Sequence, residues 1–450
     1  MRSSLERGAW PWRVHLRRLA IKSRTNRVKV AFICCIFFWM GPLSVRVTQE
    51  PVTQLAEDPR CARGLAWIDE NTAWVTEQQI RLTEIPAPEF GEARRAQALK
   101  DLFSASRLQA RIDKTGNVIA ERPSSDGTGA SDLRGVILIA AHLDTVFPAN
   151  TDVRVRRDHA RLLAPGISDN GAGLAALVGL ARALAESGIH TEKTIVLAGD
   201  VGEEGEGNLR GIRALVDFYG SRLAAVIALD GPSSDYITTQ AIASRRIEVD
   251  ISGPGGHSWS NFGAPNPITA ISRGIVRFSS TSIPTDPRST YNFGLVEGGT
   301  SVNSIPSRAA AKVDLRSEDE RELARLELAL RDAMQEGVND EVSQKAARGD
   351  ALRLNFRLLG TRPAGKLPDD SSLLATIRAV DRHIGNVSRL EKSSTDANLP
   401  LSLGIPAVAM GGGGKGGGSH TSEEWYEPAG RELGLKRLFL AAVSVAGVER

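Results

Sequence analysis

The sequence predicts an α/β body built on a mostly parallel sheet and interrupted by a ferredoxin-like insert of order β-α-β-β-α-β. Three observations lead there. Short, unbroken apolar runs such as Gly135-Val-Ile-Leu-Ile-Ala-Ala141 recur between segments of helical spacing, the pattern of strands buried on both faces. After Pro232 the style changes to alternation of apolar and polar residues, which marks strands with one face in water. Beyond residue 359 the first style returns. Four regions follow: a head over 1–50, body segments over 60–242 and 360–450, and the insert over 243–359 between them.

The head holds ten basic residues against two acidic ones, a net +8, and runs into Val30-Ala-Phe-Ile-Cys-Cys-Ile-Phe-Phe-Trp-Met40. A charged region before a short apolar one is the pattern of an export signal. The 16 residues from Val30 to Val45 are fewer than the ~20 of a comfortable bilayer span, yet suffice for an anchor. Arg17-Arg18-Leu-Ala-Ile-Lys22 resembles a twin-arginine signal, with alanine where an aromatic is usual. The head therefore predicts export to the periplasm or cell exterior, or a membrane tether. A start codon placed too far upstream would instead leave the protein cytoplasmic.

The other 400 residues hold 46 basic residues against 51 acidic, which argues against a nucleic-acid partner. Cys34 and Cys35 lie in the head and only Cys61 in the body, so no disulfide framework or cysteine-based zinc site is available there. Histidine and carboxylate must supply the ligands of any metal.

In chain order, helical spacing covers 65–83 and 93–108, and the first buried strand covers 135–141. A small-residue helix over 171–187 leads to a strand over 194–199, a helix over 209–220 and a strand over 224–229. In the insert, a strand over 243–252 and a helix over 266–279 precede strands over 290–297 and 307–316. Ser317 and Glu320 form a capping box for a helix to about 346, and 352–359 alternates as the last strand. The body resumes with a buried strand over 405–410 and a closing helix over 430–447.

The chemistry-bearing residues sit where the buried strands end, the edge at which open α/β sheets bind ligands. They are found in Ala-Ala-His142-Leu-Asp144, Pro165-Gly-Ile-Ser-Asp169, Gly199-Asp200-Val-Gly-Glu203-Glu204, Leu229-Asp230, and the glycine-rich run from Met410 to His420. Carboxylates gathered at one edge repel each other, and burial raises the cost of keeping them ionised, so such a cluster calls for cations. Two histidines with several carboxylates suit zinc, cobalt or manganese better than calcium or magnesium. Two divalent metal ions sharing one carboxylate would occupy five ligands and leave room for a bridging water.

In order and spacing, over most of 70–447, these residues resemble the co-catalytic dizinc exopeptidases and amidohydrolases: tripeptidases, glutamate carboxypeptidases, aminoacylases and succinyl-diaminopimelate desuccinylases. The resemblance implies that His142, Asp169 and Asp230 hold one zinc, and Asp169, Glu204 and His420 the other, with Asp169 bridging. It makes Glu203 the general base and Asp144 the residue that orients His142. Many members carry Met-Lys after the bridging aspartate, where this chain has Asn170-Gly171. In the insert, Ser252-Gly-Pro-Gly-Gly-His257-Ser resembles the lid loop whose histidine, often from a partner subunit, stabilises the oxyanion. Gly298-Gly-Thr-Ser-Val-Asn303 resembles the lid segment whose asparagine touches substrate, and the insert as a whole implies a homodimer.

The implied activity is hydrolysis of an amide bond near the terminus of a small peptide or N-acyl amino acid, through a metal-bridging hydroxide. The run from His142 to Thr145 leans toward tripeptidases. An N-acyl amino acid deacylase and a non-catalytic membrane-tethered binding protein on the same fold stay open beside it. Residues 411–418 formally satisfy G-x-G-x-x-G, but no βαβ unit opens there. They read instead as a hinge that lets His420 reach the metals, or as a close backbone approach to substrate.

Overall fold

The computed structural model describes residues 49–124, 135–344 and 351–449. The predicted signal or anchor lies outside the described residues, apart from its last two positions. No helix among the described residues is long and apolar enough to cross a membrane.

The body begins with helices α1 (Gln49–Glu57), α2 (Pro59–Thr83) and α3 (Ala93–Ala105). Helix α2 starts earlier than its apolar spacing suggests, because Asp58 caps it through the Arg60 amide and Pro59 fits the first turn. Helix α3 stops short of the predicted 108, since Arg107 takes a left-handed φ of 61°. Then come β1 (Gln109–Ile112), β2 (Val118–Arg122), β3 (Val136–His142), β4 (Arg156–Asp158), β5 (Arg161–Leu163) and α4 (Gly171–Ser187). Strand β6 (Thr194–Asp200), α5 (Arg210–Tyr219), β7 (Leu223–Leu229) and β8 (Tyr236–Ala241) complete the first segment.

The insert comprises β9 (Ala243–Ser252), β10 (Gly256–His257), α6 (Pro267–Ser279), β11 (Ser289–Gly298), β12 (Ser304–Ile305), β13 (Arg308–Ser317), α7 (Glu320–Gln344) and β14 (Arg353–Arg362). The chain then returns to the body through β15 (Gly365–Lys366), α8 (Ser372–Ile384), β16 (Arg389–Ser393), α9 (Asn398–Ser402) and β17 (Ala407–Met410). It finishes with β18 (Lys415–Gly417), β19 (Trp425–Glu427) and α10 (Arg431–Ala446).

The main sheet runs β1-β2-β6-β3-β7-β17-β8-β15, with β16 also on β8. Its centre, β6-β3-β7-β17, is parallel, and antiparallel pairs flank it on both sides. Every residue of β3, β6 and β17 is buried, which accounts for their unbroken apolar sequences. Helices α4 and α10 pack on β3 and β6, with α2 against both. Parallel strands share one C-terminal edge. His142 therefore stands level with Asp200 in the register, and Asp230 directly follows β7.

The insert has its own antiparallel sheet, in the order β11-β13-β9-β14. Helices α6 and α7 pack on it and on each other around Ile247, Val249, Ile251, Phe278, Leu330 and Met334. This apolar cluster is separate from the body core. The predicted capping box is corrected by the structure. Asp319 caps α7, accepting from Arg321 and Glu322 amides, because Ser317 is the last residue of β13 and bonds to Ser289 Oγ across the sheet. A further sheet, β18-β19-β5-β4, and helix α8 had no clear sequence signal.

Candidate active site

The C-terminal edge of the parallel strands gathers the five predicted ligands. His142, Asp169 and Asp230 form one group, and Asp169, Glu204 and His420 a second, with donor atoms within 4.8 Å of one another in each. Asp169 belongs to both. Its Oδ1 lies 3.2 Å from His142 Nε2 and its Oδ2 3.2 Å from His420 Nε2. Asp230 Oδ1 is 3.9 Å from His142 Nε2, and Glu204 Oε1 is 2.9 Å from His420 Nε2. A third group joins His142 and Glu204 to Glu203.

Local structure fixes each of these groups. His142 Nδ1 lies 3.1 Å from the Asp144 carbonyl, which can only accept, so Nδ1 carries a proton and Nε2 is the nitrogen that faces the cluster. The sequence pointed to Asp144 as the residue that orients His142; the contact runs through its carbonyl, and its carboxylate stands 3.8 Å from Nδ1. That carboxylate accepts from the amides of Gly202 (2.8 Å), Glu203 (3.1 Å) and Glu204 (2.8 Å), and so sets the turn that carries the two glutamates. Glu424 does the same for the Asp169 loop, accepting from the amides of Gly166, Ser168 and Asp169, all at 2.8 Å. Asn170, joined to Asp169 by a cis peptide, caps α4 through Gly173 and also accepts from the Gly231 amide, tying the Asp169 and Asp230 ends together.

The glycine run is not a hinge. A Cβ on Gly411 would stand 2.0 Å from the Pro232 carbonyl oxygen, and one on Gly413 (φ 86°) 2.8 Å from the Arg431 carbonyl oxygen. These glycines let the chain press against its own backbone on the way to His420, a tertiary demand that the sequence alone does not display.

The donor set fits cations. Burial pushes the Glu204 carboxyl up to about 7, and burial with the neighbouring Asp169 charge holds Asp230 well above the carboxylate range. Hydrogen bonds to Asp169 and Glu204 raise His420 to about 10. Asp169 Oδ1 is buried without a hydrogen bond. Such a cluster must take up positive charge, as protons or as metal ions. Asp200 also ends a strand, but among the described residues none of the groups that could hold a metal includes it.

Beside Asp169 and Asp230 opens a cleft of about 600 Å³, bounded by Tyr236, Thr238, Arg389, Lys415 and Trp425. A larger cavity of about 700 Å³, next to β1 and β2, contains none of the ligand residues, so the chemistry belongs to the smaller one.

The insert residues are placed differently. His257 and Asn303 are neighbours, linked by the Ser258 amide to the Asn303 carbonyl at 3.0 Å, and both are exposed. Among the described contacts neither reaches the ligand cluster. His257 Nδ1 accepts from the Trp259 (3.1 Å) and Ser260 (3.3 Å) amides, so the proton of the neutral ring sits on Nε2.

One buried group escaped the sequence: Arg362, whose Nη1 lies 2.6 Å from Glu203 Oε1. Glu424, four residues past His420, also had its role hidden, because what it holds is backbone.

The family model for peptidase family M20/M25/M40 matches residues 138–442. Among solved structures, the chain is similar to aminopeptidase PepT from Bacillus cereus, with 22% identity, 84% of this chain and 99% of that chain covered, and a TM-score of 0.64. It is similar to a hydantoinase/carbamoylase-family amidase from Burkholderia vietnamiensis (18%, 83% and 97%, 0.65). A dinuclear metal-binding M20 peptidase from Bacillus subtilis is a third such structure (16%, 84% and 99%, 0.58).

Proposed function

The chain belongs to peptidase family M20/M25/M40, and from that premise we propose that it hydrolyses an amide bond near the terminus of a small peptide. It is a metal-binding hydrolase of peptidase or amidase type. The observation that carries the finer reading is Asp169, with one oxygen toward each histidine Nε2.

In the proposed site, His142, Asp169 and Asp230 would hold one divalent ion, and Asp169, Glu204 and His420 the other. When bound, two such ions, zinc by preference with cobalt or manganese as substitutes, supply Lewis acidity to the scissile carbonyl and to the attacking water. Glu203 takes a proton from that water as its oxygen bonds to the carbonyl carbon. The same proton passes to the nitrogen as the C–N bond breaks, so the amine leaves neutral. Asp144 keeps Glu203 and Glu204 in place through their amides.

His257, with the neutral ring's proton on Nε2, would donate to the oxyanion once the insert of this chain or of a partner subunit closes over the cleft. Asn303 beside it would touch substrate. Both roles favour a homodimer through the insert, and light scattering that found only monomer would withdraw the partner-supplied histidine. The head favours export or anchoring, which fractionation of the tagged full chain would test.

A second reading, deacylation of N-acyl amino acids, draws support from the likeness to an amidase. A panel of di- and tripeptides and N-acyl amino acids, run with zinc, cobalt and manganese, separates the two. Release of a terminal residue from peptides is the expected result. Turnover of N-acyl amino acids alone would move the protein to the deacylases. No turnover with any metal would leave the binding-protein reading.

A further inference from the structure

Arg362 is the last residue of β14, the strand that closes the insert, and it is only 4% exposed. Its guanidinium makes a forked grip on one residue of the body. Nη1 lies 2.6 Å from Glu203 Oε1, and Nη2 donates to the Glu203 main-chain carbonyl. Nη1 also reaches Ser394 Oγ at 3.1 Å, which steadies the fork from its other side. Among the described residues Glu203 Oε2 accepts no hydrogen bond, while a Glu203 carboxylate oxygen stands within 4.8 Å of the His142 and Glu204 donor atoms.

We propose that Arg362 is a positioning residue for Glu203, so that the insert, as well as the body, aims the general base; this rests on the reading of Glu203 given above. A glutamate side chain has three rotatable bonds, and Asp144 fixes only its amide. Holding Oε1 and the carbonyl at once confines those torsions and leaves the second oxygen for the water. Proximity of this kind is worth much in rate and is lost by small displacements. A buried ion pair is weak evidence of a stabilising role, because both charges give up their hydration. A task in orienting the carboxylate accounts for it better.

The same loop is tied to the insert at other points. Arg246 of β9 donates to the Gly205 carbonyl, and Lys312 of β13 pairs with Glu206 at 2.6 Å. In β14 the Thr361 amide donates to Asn208 Oδ1 at 2.8 Å. Three strands of the insert therefore hold the segment that begins at the base.

The test uses the full chain, loaded with zinc, as Arg362→Met and Arg362→Lys. For Arg362→Met, kcat should fall by about 100-fold, on the scale of a lost general base. KM should stay within about threefold, because no substrate contact is removed. Arg362→Lys, which keeps the charge but cannot fork, should fall between. Added guanidinium should raise kcat of Arg362→Met several-fold and leave Glu203→Gln unchanged. Crystal structures of the metal-loaded variant and parent should show the Glu203 carboxylate displaced, with metal content equal.

A rise in KM at constant kcat would overturn the proposal and make Arg362 a substrate contact. Unchanged kinetics would reduce the pair to a structural one. If Arg362→Met does not fold, Arg362→Lys decides, since parent-like kcat there removes the need for a fork. If the parent turns over nothing, the functional reading fails separately. The position of Glu203 in the two crystal structures then decides alone: an unmoved carboxylate overturns the proposal.

Discussion

The strand-end cluster and the His257 loop contain residues read from the same sequence with the same logic, yet the protein holds them in opposite ways. Around the cluster, two buried carboxylates, Asp144 and Glu424, spend their oxygens on six backbone amides, so the turns that carry the proposed ligands are held by the chain itself. The His257 loop is exposed, and among the described residues its ring is held by amides of its own turn. A parallel sheet delivers its strand ends to one edge by geometry alone. A loop on an antiparallel insert reaches that edge only if the insert moves or a second copy supplies it. On the proposed roles, the difference separates chemistry that is built in from chemistry that would have to be brought.

The sharpest way to test that division is Glu203→Gln. Turnover should drop by roughly a thousandfold or more, with both metals retained by elemental analysis. Near-parent activity would remove Glu203 from the mechanism. His257→Ala should cost about 100-fold in kcat, as for one oxyanion donor, with metal content and thermal midpoint unchanged. A shifted midpoint would mean that the loop is part of the built frame after all.

Glu424→Ala touches no substrate but strands three buried amides. It should destabilise the protein by about 3 kcal/mol in denaturant unfolding. It should also weaken metal binding by about 10–100-fold in chelator competition.

The smallest effect concerns pH. In metal-free protein Glu204 is raised from 4.5 to about 7 and His420 from 6.5 to about 10. A raised folded-state pKa stabilises below the unfolded value and loses that contribution as pH climbs through the folded one. Thermal midpoints of the stripped protein should therefore decline between about pH 4.5 and 10, and zinc should flatten the slope. A flat profile without metal would mean that the cluster does not depend on uptake of positive charge.

What the sequence displayed follows from the same contrast. His142, Glu204 and Asp230 were legible at or just past the ends of buried apolar strands, whereas Asp169, ahead of α4, and His420, past the glycine run, were singled out by the order and spacing of the whole set. The four long strands and two helices of the insert were legible through alternation and helical spacing, while the two-residue strands β10 and β12 were not. Asp319 displaced the predicted cap because strand β13 ran one residue further than its pattern. Arg362 gave no signal, since an arginine ending a half-exposed strand is ordinary, and its partner is 159 residues away. Strands β4, β5, β18 and β19 have three residues each, too few to show a period.

Asp144 serves the site twice, through its carbonyl to His142 and through its carboxylate to the turn of Glu203 and Glu204. One residue thus acts as a common datum for His142, Glu204 and Glu203, the two proposed ligands and the proposed base, and none of the three can be re-aimed without disturbing the others. An engineer seeking to retarget this protein would find that corner closed to adjustment. New specificity would have to come from the walls of the cleft, at positions such as Thr238 or Lys415, where a change of shape leaves the frame of reference untouched.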